Sequence, residues 1–389
     1  MIFLHKNKRY FSAFLGILIL LSSINISSAE PVFEIDGKSA ILIDYNSGNI
    51  IYEKNSHDKL PPASITKIMV LLIAMESLER GTINLNDEVV ISGNAAGMGG
   101  SQVYLEEGEI QTIENLLKAI CLRSANDASV ALAEHMSGSE ELFVKKMNEH
   151  AKELGMNNTN FMNVTGLPNE GHYTTAYDIG IMSKELLKHP KIHDWLNLWM
   201  SEMKVGKNKD VVQSLVNTNR LIRDYEGANG IKTGSTSEAG FCLSASAKRG
   251  NLQLIAVILG CETSKIRFNE TKKLLDYGFA NYDSITVGRK NDLMGKVLVE
   301  KGSSEEVEAI LERDACILLP KGSEGNLEKE IIISESILAP VDNHEKLGEL
   351  IIKFNGKEID KINIIAKNSV DKANFKDMLK KVFDNLLKK

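Results

Sequence analysis

The sequence is poor in the features that carry metal, redox or nucleic-acid chemistry. Its four cysteines stand at 121, 242, 261 and 316, and no two form a C-x-x-C pair. Cys121, Cys242 and Cys261 lie among apolar or small residues and read as buried free thiols, although export would permit oxidation. The eight histidines include no H-E-x-x-H and no close pair joined to a cysteine, so no metal site is indicated. Basic residues are not in excess: 46 Lys and Arg stand against 52 Asp and Glu, a net charge of −6. An acidic chain without a basic patch is a poor nucleic-acid binder. No apolar run reaches the ~20 residues of a comfortable span, which excludes a polytopic membrane protein. Internal repeats and low-complexity linkers are absent as well. With 43% apolar and 25% charged residues in 389, the composition is that of a globular chain of two or three domains.

The first 29 residues do not belong to the fold. Lys6, Lys8 and Arg9 form a basic segment without an acid, Phe11 to Leu21 an apolar one, and Ser27-Ser28-Ala29 a small-residue cleavage site. This reads as a signal peptide over 1–29, cleaved after Ala29. A retained anchor is the alternative. The working protein is then exported, and starts near Glu30.

Residues 30–282 read as one mixed domain. Two β-rich runs between Ser39 and Lys54 flank Asn46-Ser47-Gly48 as a hairpin. Ser64 to Leu78 is apolar nearly all round, the pattern of a helix buried within a domain. Residues 113–135 read as helix, break at Ser124-Ala125-Asn126, helix. A further helix runs from near Thr175 to Leu187. Gly240 to Ala247 and Leu252 to Leu259 read as buried strands, and Ile266 to Tyr277 as a closing helix. The simplest architecture is α+β, a mainly antiparallel sheet with helices packed on it. Residues 283–368 hold the short strand runs Val297-Leu298-Val299, Ile317-Leu318-Leu319, Ile331-Ile332-Ile333 and Leu350-Ile351-Ile352, which predict a small all-β domain. Residues 369–389 end the chain as an amphipathic helix. Phe375, Met378, Leu379, Val382, Phe383, Leu386 and Leu387 make one stripe, with lysines on the opposite face. That pattern suits a helix lying in a membrane surface. The alternative is packing on the β domain or on a second copy.

Three motifs carry the chemistry. Ser64-Ile65-Thr66-Lys67 places a hydroxyl and an amine on one helical face. For Lys67 to act as a neutral base at pH 7 its pKa must fall by roughly 3, or ~4 kcal/mol. Apolar surroundings and a second cation act in that direction. Ser124-Ala125-Asn126 offers a hydroxyl and an amide in the break between two helices. Either residue would also serve as a helix cap. Lys232-Thr233-Gly234, followed by Ser235, offers a cation, a hydroxyl and a close backbone approach. Ile231 stands where a phosphate loop needs glycine. Singly each motif is weak. Their joint order and spacing match the set found in penicillin-binding proteins and class A β-lactamases, with Ala125 in place of the usual middle aspartate.

The sequence thereby resembles the serine D-alanyl-D-alanine carboxypeptidases, the low-molecular-weight penicillin-binding proteins. Pro62-Ala63-Ser64-Ile65-Thr66-Lys67, Gly100-Ser101-Gln102-Val103, Arg123-Ser124-Ala125-Asn126-Asp127-Ala128, Gly171-His172-Tyr173-Thr174-Thr175-Ala176 and Gly230-Ile231-Lys232-Thr233-Gly234 carry the likeness. It implies a β-lactamase/transpeptidase-like fold over about residues 36–282. Ser64 is then the acylated nucleophile and Lys67 its general base. Ser124 and Lys232 transfer a proton to the leaving amine, and Asn126 holds the substrate amide. Thr233 and Gly234 line the binding strand, Thr233 and Lys232 receiving the terminal carboxylate. The N–H groups of Ser64 and Ser235 form the oxyanion hole. Arg267 lies near the carboxylate end, with an ion pair inside Arg-x-x-Glu as its alternative role. The resemblance implies a peptidoglycan pentapeptide ending in D-Ala-D-Ala as substrate and β-lactams as covalent inhibitors. No cofactor or metal is implied, and the outer face of the cytoplasmic membrane is the expected location. A β-lactamase needs a further carboxylate to activate water, and no E-x-x-L-N stretch supplies it. A non-catalytic scaffold would have no reason to keep every lysine and serine.

Overall fold

The computed structural model describes residues 34–323 and 325–375. The expected signal segment therefore lies outside the described residues, as does the C-terminal stripe beyond Phe375.

Strand β1 (Ser39–Asp44) is buried along its whole length, which requires cover on both faces of its sheet. It pairs antiparallel with β2 (Ile50–Lys54) across the expected hairpin. Its other edge takes β5 (Leu252–Cys261), followed by β4 (Gly240–Arg249) and β3 (Ala228–Thr236), so the sheet order is β2-β1-β5-β4-β3. Every pairing in it is antiparallel. The chain leaves after β2, builds its helices, and returns to complete the sheet with β3 at the far edge.

Alternation along β1 assigns each face its helix. Ile41 and Ile43 meet α5 (Ala176–Leu187): a Cβ placed on Gly180 would stand 2.5 Å from Ile43 Cδ1. Leu42 meets α6 (Ser264–Asn281), where a Cβ on Gly278 would stand 3.1 Å from Leu42 Cδ2. Helix α1 (Lys67–Glu79) sits inside the helical layer with Lys67 to Met75 all buried, as its unbroken apolar run demands. Its start differs from expectation. Ala63–Thr66 forms a separate 3₁₀ turn, and the α-helix begins at Lys67 rather than Ser64. Helices α2 (Ile113–Arg123), α3 (Asn126–Ser137) and α4 (Glu140–Glu153) complete the layer. Two small hairpins, Glu88–Val90 with Ile110–Thr112 and Met200–Val205 with Val211–Val216, also go beyond the sequence reading.

After α6 the chain passes straight into β6 (Tyr282–Gly288) and a second β structure. Strands β7 (Leu293–Glu300), β8 (Glu306–Leu311), β10 (Leu327–Ile333), β11 (Ser336–Leu338), β12 (Lys346–Phe354) and β13 (Lys357–Ala366) form a sheet in the order β10-β12-β13-β8-β7-β11. Strand β6 pairs with β9 (Ala315–Pro320). This part has its own apolar core, including Val297, Val307, Leu311, Ile317, Leu350, Ile352, Ile362 and Ile364. Lys321 Nζ, donating to Phe279 O at 2.6 Å, ties it to the end of α6. All four cysteines are buried free thiols. Among the described residues no helix is long and apolar enough to cross a membrane.

Candidate active site

Ser64 stands in the 3₁₀ turn at the head of α1, and the turn begins under strain. Ala63 takes φ +50°, a left-handed conformation that a side chain disfavours by about 1 kcal/mol or more. Three residues on, the first residue of α1 turns its amine back toward the hydroxyl. Lys67 Nζ donates to Ser64 Oγ at 3.1 Å, to Asn126 Oδ1 at 2.7 Å and to Thr165 O at 2.6 Å. The side chain is fully buried. Burial, and next the Lys232 cation, push its pKa well below the ordinary lysine value, against a smaller opposing pull from Asp127.

Ser124 is the hinge of the helix–break–helix segment. It closes α2 in the left-handed conformation, φ +62°. The alternative capping role for Ser124 or Asn126 is not what is found. Ala125 occupies the N-cap of α3, and no side chain caps that end. Both polar side chains face the lysines instead. Lys232 Nζ donates to Ser124 Oγ at 2.7 Å and to Thr233 O at 3.0 Å. Asn126 offers its oxygen to Lys67 and its nitrogen to Gly99 O at 2.7 Å, while its backbone N–H donates to Ser101 O. The amide is thus fixed at both ends.

Strand β3 closes the other side. Lys232 and Thr233 are buried, and Gly234 passes so near Ser64 that a Cβ on it would stand 3.0 Å from Ser64 N. Thr233 Oγ1 donates to Thr218 Oγ1 at 2.8 Å. Ser235 follows on the same strand and lines one cleft with Ser64, Ser124, Thr233 and Gly234. Lys232 is the cation that its motif offers. Burial, with the Arg267 cation adding to it, lowers its pKa to about 7. Two buried amines share this pocket, and each disfavours the proton on the other.

Arg267 lines the cleft as well, on α6. Its guanidinium donates to Gly234 O and Cys242 O, both at 3.2 Å, and to Ser264 Oγ at 3.0 Å. The alternative ion pair within Arg-x-x-Glu is replaced by other partners: Glu270 faces Lys273 and the backbone N–H of Asp36.

Several site residues escaped the sequence reading. The Thr165 carbonyl, the Gly99 carbonyl and the Thr218 hydroxyl reach the site from loops that no motif marks. Asp127 is buried and accepts from the N–H groups of Val103, Leu105 and Ala128, which holds the 99–105 segment against α3. Burial raises its pKa, and those backbone donors oppose the rise. Its place beside Asn126 in the quoted motif was its signal. The cleft over these groups measures about 690 Å³ and is open to solvent. A serine hydroxyl 3.1 Å from a deprotonation-prone amine, beside a second hydroxyl–amine pair, has the geometry of nucleophilic acyl transfer.

Comparison with known proteins agrees with this geometry. Residues 25–263 match the family model described as D-alanyl-D-alanine carboxypeptidase, and residues 282–372 match that of the penicillin-binding protein 5 C-terminal domain. The D-alanyl-D-alanine carboxypeptidase DacF of Bacillus subtilis is 45% identical over 354 residues, covering 91% of this chain and 90% of that protein. Penicillin-binding protein 5 of Haemophilus influenzae superposes with a TM-score of 0.74 at 30% identity, over 88% of this chain and 99% of that one. Penicillin-binding protein D2 of Listeria monocytogenes, in its ampicillin-bound form, superposes with a TM-score of 0.57 at 27% identity, over 64% and 99%. The fold, the clustered motifs and these likenesses together make the chain a member of the D-alanyl-D-alanine carboxypeptidase family.

Proposed function

We propose that this protein is a serine D-alanyl-D-alanine carboxypeptidase that removes the terminal D-alanine from peptidoglycan stem peptides through an acyl-enzyme on Ser64, and that β-lactams acylate the same residue. The observation that carries the reading is the contact of Ser64 Oγ with the buried, proton-poor Lys67 amine at 3.1 Å. Lys67 takes the serine proton as the hydroxyl attacks the penultimate D-alanyl carbonyl. The neighbouring Lys232–Ser124 pair passes a proton to the leaving amine. Asn126 orients the substrate amide. Thr233, with the Lys232 and Arg267 charges behind it, receives the terminal carboxylate. The Ser64 and Ser235 N–H groups stabilise the oxyanion. Water then releases the shortened peptide. No aspartate or glutamate is among the residues lining the cleft, which favours a long-lived penicilloyl adduct over β-lactamase turnover.

Incubation with a peptide ending in D-Ala-D-Ala is expected to free D-alanine, and penicillin to add one adduct mapping to Ser64. An adduct that persists in Ser64→Ala refutes the assignment. The same reading makes 1–29 a signal peptide, places the enzyme outside the cytoplasmic membrane, and makes 375–387 an interfacial anchor. The segment from Asp371 to Lys389 carries six lysines and three aspartates, a local net +3 that anionic lipid attracts. Truncation after Asn368 is expected to abolish co-sedimentation with anionic vesicles while D-alanine release continues. Undiminished sedimentation would place the anchor elsewhere.

A further inference from the structure

A lone terminal carboxylate uses only part of the charge in this cleft. Arg123, Arg220, Arg223 and Arg267 all line it. An adjoining hollow of about 460 Å³ shares Arg220, Ser264 and Phe268 and adds Lys265 and Lys272, with Asp224 as its one acid. Six cations thus stand round one trough on a chain whose net charge is −6. Arg267 is already engaged with Gly234 O, Cys242 O and Ser264 Oγ. Arg223 is held in place, stacked 4.5 Å from the Trp199 ring centroid with its Nε donating to Asp224 at 2.8 Å. Arg123 and Arg220 are exposed and make no side-chain hydrogen bond or ion pair among the described residues.

Their position says which end of a substrate they meet. Thr218 links Thr233 to the segment that carries Arg220 and Arg223, and its N–H donates to Leu122 O beside Arg123. Asn217 N–H donates to Trp199 O. Arg220 and Arg223 therefore lie beyond Thr233, on the side of the leaving residue. An alanine methyl offers them nothing. A second carboxylate on the leaving residue offers each a charge-assisted hydrogen bond. A cleft of about 690 Å³ has room for such a residue, since about 300–1,000 Å³ accommodates a drug-sized ligand.

We propose that the leaving-group side of the cleft is a subsite for a diacidic residue, so that the enzyme also cleaves acyl-D-alanyl bonds whose amine belongs to an amino acid with a second carboxylate, Arg220 and Arg223 reading that group. The chemistry is unchanged. The Ser64 Oγ–acyl carbon bond forms, the D-alanyl C–N bond breaks, and the diacidic amine leaves with the proton the serine gave up. Water then supplies hydroxyl to the acyl carbon and a proton to Ser64. The inference rests on the carboxypeptidase reading, and its test separates the two.

The wild-type protein and Arg220→Gln/Arg223→Gln are compared on three peptides that differ only in the last residue: D-Ala-D-Ala, D-Ala-D-Glu and D-Ala-D-Gln. Release of the last residue gives kcat/KM for each. The wild type is expected to cleave the D-Glu peptide about tenfold faster than the neutral D-Gln peptide, as one charge-assisted hydrogen bond implies. The double variant is expected to lose that ratio, with the D-Glu value falling about ten times further than the D-Ala value. D-Glu no better than D-Gln in the wild type, or a parallel fall on D-Glu and D-Ala, overturns the subsite. Penicillin labelling of Ser64 and thermal melting are read on both proteins. Labelled, folded protein without the D-Glu preference sinks the subsite alone, whereas wild-type protein that neither labels nor releases D-alanine sinks the underlying reading.

Discussion

Replacing Gly234 by alanine tests how tightly strand β3 is pressed against the nucleophile. Gly234 has an ordinary strand backbone, so alanine brings no conformational penalty there and the whole effect is steric. The new Cβ would stand 3.0 Å from Ser64 N and 3.1 Å from both Ala63 Cβ and Ile65 N. Ordinary contact begins at about 3.4 Å, so strand and turn must separate by a few tenths of an ångström. Two of the three atoms met are backbone and cannot rotate away. Overpacking of this kind costs roughly 1–3 kcal/mol of stability. The displaced turn carries Ser64 and its N–H, and a misplacement near 1 Å can cost 10²-fold in rate, so this smaller shift should cost about tenfold. Second-order acylation by penicillin, D-alanine release and a melting curve measure the three quantities. Acylation should slow about tenfold in a protein that still melts cooperatively. A variant that acylates at the wild-type rate would show that β3 does not fix the position of the nucleophile.

The two active-site lysines should respond differently to arginine. Lys67→Arg should abolish acylation, because arginine does not give up its proton, while Lys232→Arg should retain part of it through its charge; equal residual activity in a penicillin-labelling assay would contradict the division. Stability should follow the opposite logic at Lys232. Its pKa falls from 10.5 to about 7 in the fold, so the folded state carries a desolvated charge below pH 7, and that penalty fades as pH rises toward 10 and the unfolded chain loses the same proton. The shift is worth at most about 4–5 kcal/mol, less roughly 1–3 for the lost bonds to Ser124 and Thr233 O. Lys232→Met should accordingly melt above the wild type near pH 6, by a margin that shrinks by pH 9; a margin that grows with pH would reverse the sign of the argument.

The sheet and the buried helix were legible because their periodicity is produced by burial itself. Residues 40–43 of β1 and 68–75 of α1 are apolar without a break, and all of them are buried. Strands β8 and β13 were missed for the complementary reason. Their exposed positions break the apolar run into fragments such as Glu306-Val307-Glu308 and Lys357-Glu358-Ile359, although Asn355-Gly356 marks the turn into β13. Helix α4 was missed because only Phe143, Met147 and Ala151 of its fourteen residues are buried, too thin a stripe to stand out.

The site divides along a different line. The two lysines, the two serines, Asn126 and Thr233 stand in motifs and were readable, whereas the Thr218 hydroxyl comes from a loop that no motif marks. Most of what else could not be read is contributed by the backbone. Lys67 is oriented by the Thr165 carbonyl, Asn126 by the Gly99 carbonyl, and Lys232 by the carbonyl of its own neighbour. A carbonyl oxygen is present in every residue, so no amino-acid pattern advertises the few that are aimed into a cleft. The same limit applies to the surroundings of Lys232. Its sequence neighbours, Ile231 and Thr233, do not by themselves announce a buried amine. Its pKa is set by the burial that β3 imposes and by the charge of Arg267, 35 positions away in the chain. Both lysines are made proton-poor because the fold buries them in one pocket, Lys67 with hydroxyl, amide and carbonyl partners and Lys232 with a hydroxyl and a carbonyl. No carboxylate hydrogen-bonds either amine among the described residues. An adjacent aspartate or glutamate would hold the proton on lysine, so a site that needs Lys67 neutral is better served by these uncharged acceptors than by a salt bridge.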